Sequence, residues 1–250
     1  MFLKLRPFFY SLLFLLFLEI ISYVHNNSNQ VFFFSFLLLL FSLREGKIIG
    51  KKWRFSVLPV LFTLSSIALL YLIGIFYERQ VFILLASMMH YLAVFGAYRL
   101  GNYEKDQTAK GMNMAATSTT IFFAYAGSYG LYLNFLVPLY ILMLAYFFIT
   151  LFVSYQYFSI IVKDDKKNTA WLYSFVLGLS MAEFSWSINF WPFGYLTTGV
   201  IALILYYMLW DVVQSYFLGI LNKKRMLFGA VFFSCLIVII LLTSKWTPAI

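Results

Sequence analysis

A chain of 250 residues in which 63% are hydrophobic and 11% charged, with a mean hydropathy of +0.88, lies outside the range of soluble domains, where about a quarter of residues carry charge. The net charge of +9 would suit nucleic acid if the basic residues shared one exposed face, but they fall in small clusters between apolar runs, as topogenic charges beside anionic headgroups do. The only cysteine, Cys235, sits in the last apolar run and excludes an intrachain disulfide or a thiolate metal site.

Apolar runs bounded by charge or turn residues predict nine membrane spans, near 8–25, 29–43, 55–77, 80–99, 112–133, 136–162, 169–190, 193–219 and 226–244. Nine helices consume most of the chain, so the expectation is one integral membrane domain over 1–250, an all-α polytopic bundle. Lys4 and Arg6 ahead of the first run resemble a secretory leader. Glu19, Ser22, Tyr23 and His25 stand where a small-residue cleavage site would be, which predicts an uncleaved first span. Val31–Leu43 makes the second span the shortest, about 20 Å of helix. The fifth is the most polar, with Thr117, Ser118, Thr119, Thr120, Gly127, Ser128 and Gly130, a composition suited to close packing at a bundle centre. Pro7, Pro59, Pro138 and Pro192 fall at or near predicted starts, where a missing N–H costs little.

The loops test this count independently. With the N-terminus in the cytoplasm, the inner segments hold every basic residue of the chain except Arg79 and Lys245. That alternation predicts an N-terminus inside and a C-terminus outside.

Charged or titratable side chains at membrane depth are costly, so each is a candidate for function or for an interhelical hydrogen bond. In the seventh span Ser180, Glu183 and Ser187 share one helical face, with Trp186 beside them and Asn189 a turn later; this face is expected to look into the bundle. Glu183 would then serve as a proton carrier, a cation contact or an acid group toward a headgroup. Glu19 lies at a similar depth below the outer interface, which permits a shared outer-facing cavity. His90, in the fourth span, is a candidate proton partner for Glu183. Asp211, in the inner half of the eighth span, shares a face with Tyr207, Gln214 and Ser215. One histidine among dispersed carboxylates predicts no metal site and no cofactor. The connection Phe190–Trp191–Pro192–Phe193 reads as a tight turn with interfacial aromatics, and Lys163–Asp164–Asp165–Lys166 as a solvated loop with Asn168 as a helix cap. The GKIIGKK stretch at 46–52 lacks the spacing and hydroxyl of a phosphate-binding loop, and neither HExxH nor a nucleophile elbow occurs.

From Ser180 onward, Glu183, Trp186, Trp191, Pro192, Phe193, Gly199, Tyr206 and Tyr207, then the basic Lys223–Arg225 turn and Lys245 and Trp246, resemble an uncharacterised multi-pass membrane family of candidate-phyla bacteria. The resemblance covers about the last 75 residues. It implies a bacterial inner-membrane protein and supplies no activity. Taken together, the residues favour a carrier or binding protein for a lipid or small amphiphile, whose partner is the bilayer rather than nucleic acid. The alternatives are an intramembrane enzyme on a lipid-linked substrate, with Glu183 as acid or base and His90 as its candidate partner, and a structural subunit of a membrane complex.

Overall fold

The computed structural model describes residues 2–24, 27–51, 53–103, 106–135, 137–162 and 167–244. Within them the chain is all-α, with nine α-helices and one 3₁₀ turn: α1 Phe2–Tyr23, α2 Ser28–Gly50, the turn Trp53–Ser56, α3 Val57–Leu72, α4 Phe76–Asn102, α5 Gln107–Phe135, α6 Leu139–Ile161, α7 Lys167–Ile188, α8 Tyr195–Phe217 and α9 Lys223–Thr243. Lys163–Lys166, Lys245 and Trp246 lie outside the described residues.

Among the described residues, five helices are long and apolar enough to cross a bilayer: α1 over Arg6–Tyr23, α4, α6, α8 and α9. Of the others, α3 has 16 residues, and the apolar runs of α2, α5 and α7 are diluted by charged or polar side chains. The protein is a multi-pass membrane protein. The helix over the second apolar run is longer than the run itself: α2 has 23 residues and continues through Arg44, Glu45 and Lys47 to Gly50. Those charges had marked the end of the span, yet a helix carries charge readily near its terminus, and this one directs Arg44 and Lys47 outward while burying Glu45.

The helices fall into two compact units, Met1–Ala124 and Tyr125–Ile250, with the boundary inside α5. In the first unit α1 packs on α2 and α4, and α3 on α2 and α4. Phe14, Leu18, Phe62, Ile83 and Ala86 are fully or almost fully enclosed there. The end of α2 is pinned by backbone-to-backbone contact. A Cβ on Gly46 would overlap Ser56 Cα, and one on Gly101 of α4 would stand 2.9 Å from Gly50 O. Lys51, at φ 59°, then turns the chain out of the helix, and its Nζ donates to Asn102 Oδ1 at 2.6 Å. Lys47 lies 4.3 Å over the Trp53 ring, a cation–π contact on the same end of the unit.

In the second unit α6 packs along α7, α7 on α8, and α8 on α9. Gly199 of α8 lies so close to α5 that a Cβ would stand 2.7 Å from Ala126 Cβ. Its interior is aromatic and hydroxylic: Tyr125 stacks on Tyr146 at 4.2 Å, and Tyr125 Oη and Thr150 Oγ1 are 2.7 Å apart. Ser154 Oγ and Tyr206 Oη are 3.1 Å apart, and Trp210 lies on Tyr157 at 4.8 Å. α9 is the exception to burial, with no buried residue along its length.

Candidate functional site

The first unit brings two ionisable side chains together in its interior. α2 places Leu38, Ser42, Glu45 and Ile49 on one face at i, i+4, i+7 and i+11, and all four are buried. α4 carries His90 midway along its length, completely enclosed. Glu45 Oε2 and His90 Nε2 are 3.6 Å apart, with both side chains almost wholly shielded. That separation is beyond hydrogen-bond range, and Glu45 Oε1 and His90 Nε2 are buried without a hydrogen-bond partner.

The surroundings hold the imidazole in a defined plane. Phe14 of α1 stacks on it, ring centres 4.1 Å apart and planes 2° apart, and Phe62 of α3 lies 5.9 Å away. On the other nitrogen, Ser11 Oγ of α1 stands 3.4 Å from His90 Nδ1, with donor and acceptor set by the tautomer. One turn before Glu45, Ser42 Oγ and Thr63 Oγ1 of α3 are 2.7 Å apart. Four helices thus contribute to one small polar interior in an otherwise apolar unit. The site lies toward the end where α1 starts and α2 stops: Glu45 is five residues, about 7.5 Å of helix, before Gly50. Within the first unit, His90 therefore has Glu45 as its acid–base neighbour.

Glu19 does not join this site. It is half-buried toward the opposite end of α1, where Gln80 Nε2 of α4 donates to its Oε2 at 3.0 Å. Beside it a pocket of about 20 Å³, room for about one water, is lined by Ile21, Ser22, Ile67, Leu70, Tyr71 and Arg79, without Glu19. Arg79 Nε donates to Ile73 O at 2.5 Å, which holds that guanidinium at the start of α4.

In the second unit the orientation of α7 is the reverse of the expected one. Its buried face is Ser174, Leu177, Gly178, Met181, Ala182, Ser185 and Ile188, whereas Glu183 and Ser187 are exposed and Trp186 is 50% exposed. Small residues let α7 close on its neighbours, and the carboxylate is turned away from them. Among the described residues Glu183 has no hydrogen-bond or ion-pair partner, while Trp186 packs edge-to-face on Phe190 at 5.4 Å. Asn189 is half-buried in the turn after α7, its backbone N–H donating to Ser185 O at 3.2 Å. Asp211 is explained by a helix-to-helix tie: Arg225 Nη2 at the start of α9 donates to its Oδ1 at 3.3 Å. On the same stretch of α8, Gln214 Nε2 donates to Tyr157 Oη at 3.3 Å. No group of three or more metal-ligating side chains occurs among the described residues.

Glu45 is not among the sequence-predicted site residues because it stands between Arg44 and Lys47, whose charges mark a loop. The signal was present in the spacing of Leu38, Ser42, Glu45 and Ile49, which continues the apolar face of α2 past the first charge.

Residues 39–243 match the model of a family described as protein of unknown function (DUF5656). The family relationship therefore covers most of the chain rather than its C-terminal third alone. It includes Glu45, His90, Glu183 and Asp211, while Ser11, Phe14 and Glu19 precede the matched stretch. No curated protein and no solved structure matches the chain significantly. An all-α, multi-pass membrane chain with a match over 39–243 belongs to the DUF5656 family.

Proposed function

We propose that the protein is a membrane-embedded carrier or binding protein for a lipid or small amphiphile bearing an ammonium group, engaged by Glu183 and Trp186 on the outward face of α7. The observation that carries this reading is an exposed, unpartnered carboxylate five residues before the end of a helix in a membrane protein. A carboxylate facing hydrocarbon is costly, and the cost falls when a cationic headgroup lies against it. Trp186, one position from the buried Ser185, supplies the amphipathic ring that favours the headgroup level. Ser180 and Ser187 extend the polar face along the same side.

The reading includes nine crossings with a cytoplasmic N-terminus and an external C-terminus, supported by the segregation of the basic residues. In that topology Glu183 belongs to the outer leaflet of a cell membrane.

The test is thermal unfolding of the purified full chain across a lipid panel. Phosphatidylethanolamine is expected to raise the midpoint more than phosphatidylcholine, whose methylated ammonium cannot donate a hydrogen bond, and Glu183→Gln is expected to erase the difference. Equal midpoints across the panel would overturn the proposal. A second reading, a structural subunit of a membrane complex, is favoured by α9, which buries none of its own residues against the rest of the chain. A stable co-purifying membrane protein, together with full tolerance of Glu183→Gln, would select that reading.

A further inference from the structure

We propose that Glu45 and His90 form a buried proton-binding site, holding one exchangeable proton between Glu45 Oε2 and His90 Nε2. The site is separate from the α7 face and does not depend on any ligand there.

Its basis is geometric. The two atoms face one another at 3.6 Å inside the protein, and closing by well under 1 Å brings them into hydrogen-bond range. Apart from this approach, neither Glu45 Oε1 nor His90 Nε2 has a hydrogen-bond partner. A pair kept only for stability would not be built this way. Taking a carboxylate and an imidazolium out of water costs more than a loose contact returns, and apolar side chains of similar volume pack as well or better.

One shared proton resolves the electrostatics. With the proton on Glu45 Oε2, both groups are neutral and the carboxyl O–H points at the Nε2 lone pair. With the proton moved, that O–H bond breaks and an N–H bond forms on Nε2, leaving carboxylate beside imidazolium. The net charge is zero in both forms, so the interior need not hold an uncompensated charge during the transfer. In each form Nδ1 keeps its own hydrogen toward Ser11 Oγ, 3.4 Å away, and the Phe14 stack keeps the ring from turning.

Among the described residues, none of the contacts around the pair comes from another charged group. α1 presents Ser11 and Phe14, and α3 presents Phe62. The other described charges on the surrounding helices, Arg6 and Glu19 on α1, Arg44 and Lys47 on α2, and Glu78, Arg79 and Arg99 on α4, are exposed or half-buried. Glu45 is about 7.5 Å of helix from Gly50, the last residue of α2.

The chain has only two histidines, His25 and His90, so ¹⁵N-histidine NMR of the full chain in lipid nanodiscs reads the site directly, with His25→Gln assigning the signals. The His90 Nε2 resonance is expected between the protonated and free-nitrogen limits. It should show a deuterium isotope shift within minutes in D₂O, and should move to the free limit in Glu45→Gln. The same His90 shifts in wild type and Glu45→Gln would overturn the proposal. So would a wild-type Nε2 signal without an isotope shift after overnight exchange, a measurement that remains decisive if the variant does not fold.

Discussion

The two units solve the same problem, polar groups inside a membrane protein, in opposite ways. The first encloses ionisable groups: Glu45 and His90 are sealed among four helices, and each leaves hydrogen-bonding capacity unused. The second encloses hydroxyls and rings, as in the Tyr125 to Thr150 and Ser154 to Tyr206 pairs, and keeps its acidic groups at the periphery, with Glu183 exposed and Asp211 tied to Arg225. A neutral hydroxyl pair is satisfied by one contact and is then inert. A carboxyl and an imidazole with spare valence remain reactive. Chemistry is therefore to be sought inside the first unit and on the surface of the second.

The largest expected effect separates the two units by how their helices touch. Gly46 abuts only backbone, with Ser56 Cα nearest, whereas Gly199 meets the Ala126 methyl first and the Ala126 Cα and N at the looser distances of 3.0 and 3.1 Å. Gly46→Ala is expected to cost about 3 kcal/mol or more because residues 53–56 must shift, and Gly199→Ala about 1–3 kcal/mol. Thermal unfolding of the two variants in detergent checks the order; equal losses would break the distinction.

A middle-sized effect compares charge with hydroxyl. Glu45→Ala strands His90 and opens a cavity, at an expected cost of about 3 kcal/mol. Tyr206→Phe removes one hydrogen bond, at about 1 kcal/mol. The double variant Glu45→Leu with His90→Phe should recover most of the loss, since apolar replacements carry no desolvation penalty. If the double variant is as unstable as Glu45→Ala, the pair is structural after all.

The smallest effect lies in the connection between α4 and α5. Asp106 accepts a hydrogen bond from the Ala109 backbone N–H at 3.2 Å and pairs with Arg99 at 2.7 Å, which together hold its carboxyl below the usual carboxylate range. A depressed carboxyl contributes stability above its unfolded-state pKa and loses it as pH falls through the folded-state value. The start of α5 should therefore loosen only below about pH 4, the ordinary aspartate value. Hydrogen exchange at the Ala109 amide measures it, and Asp106→Asn should flatten that acid dependence.

Helix number and placement were legible because apolar runs and basic clusters are long-range signals; each of the nine helices overlaps its expected span. Which side of a helix faces inward was much less so. In water, polarity marks the outside, but in lipid a polar side chain is as unwelcome outside as within, and polarity loses its sign. Ser180, Glu183 and Ser187 looked inward by that criterion. The face that is buried carries Ser174, Gly178, Ala182 and Ser185, where small size rather than polarity decides. Glu45 was hidden by the opposite error, since its exposed basic neighbours suggested solvent at a point where one side of the helix was still inside the protein.

The last helix carries a consequence for biogenesis. α9 is the most apolar of the candidate spans, buries none of its residues, and leans on α8 through Arg225 to Asp211 and Tyr207 to Phe233. A segment that asks so little of its neighbours can leave the translocation machinery for lipid on its own hydrophobicity. Its Lys223–Arg225 start places basic charge beside the apolar run, so substitutions in the interior of the preceding helices are expected to leave its insertion unchanged.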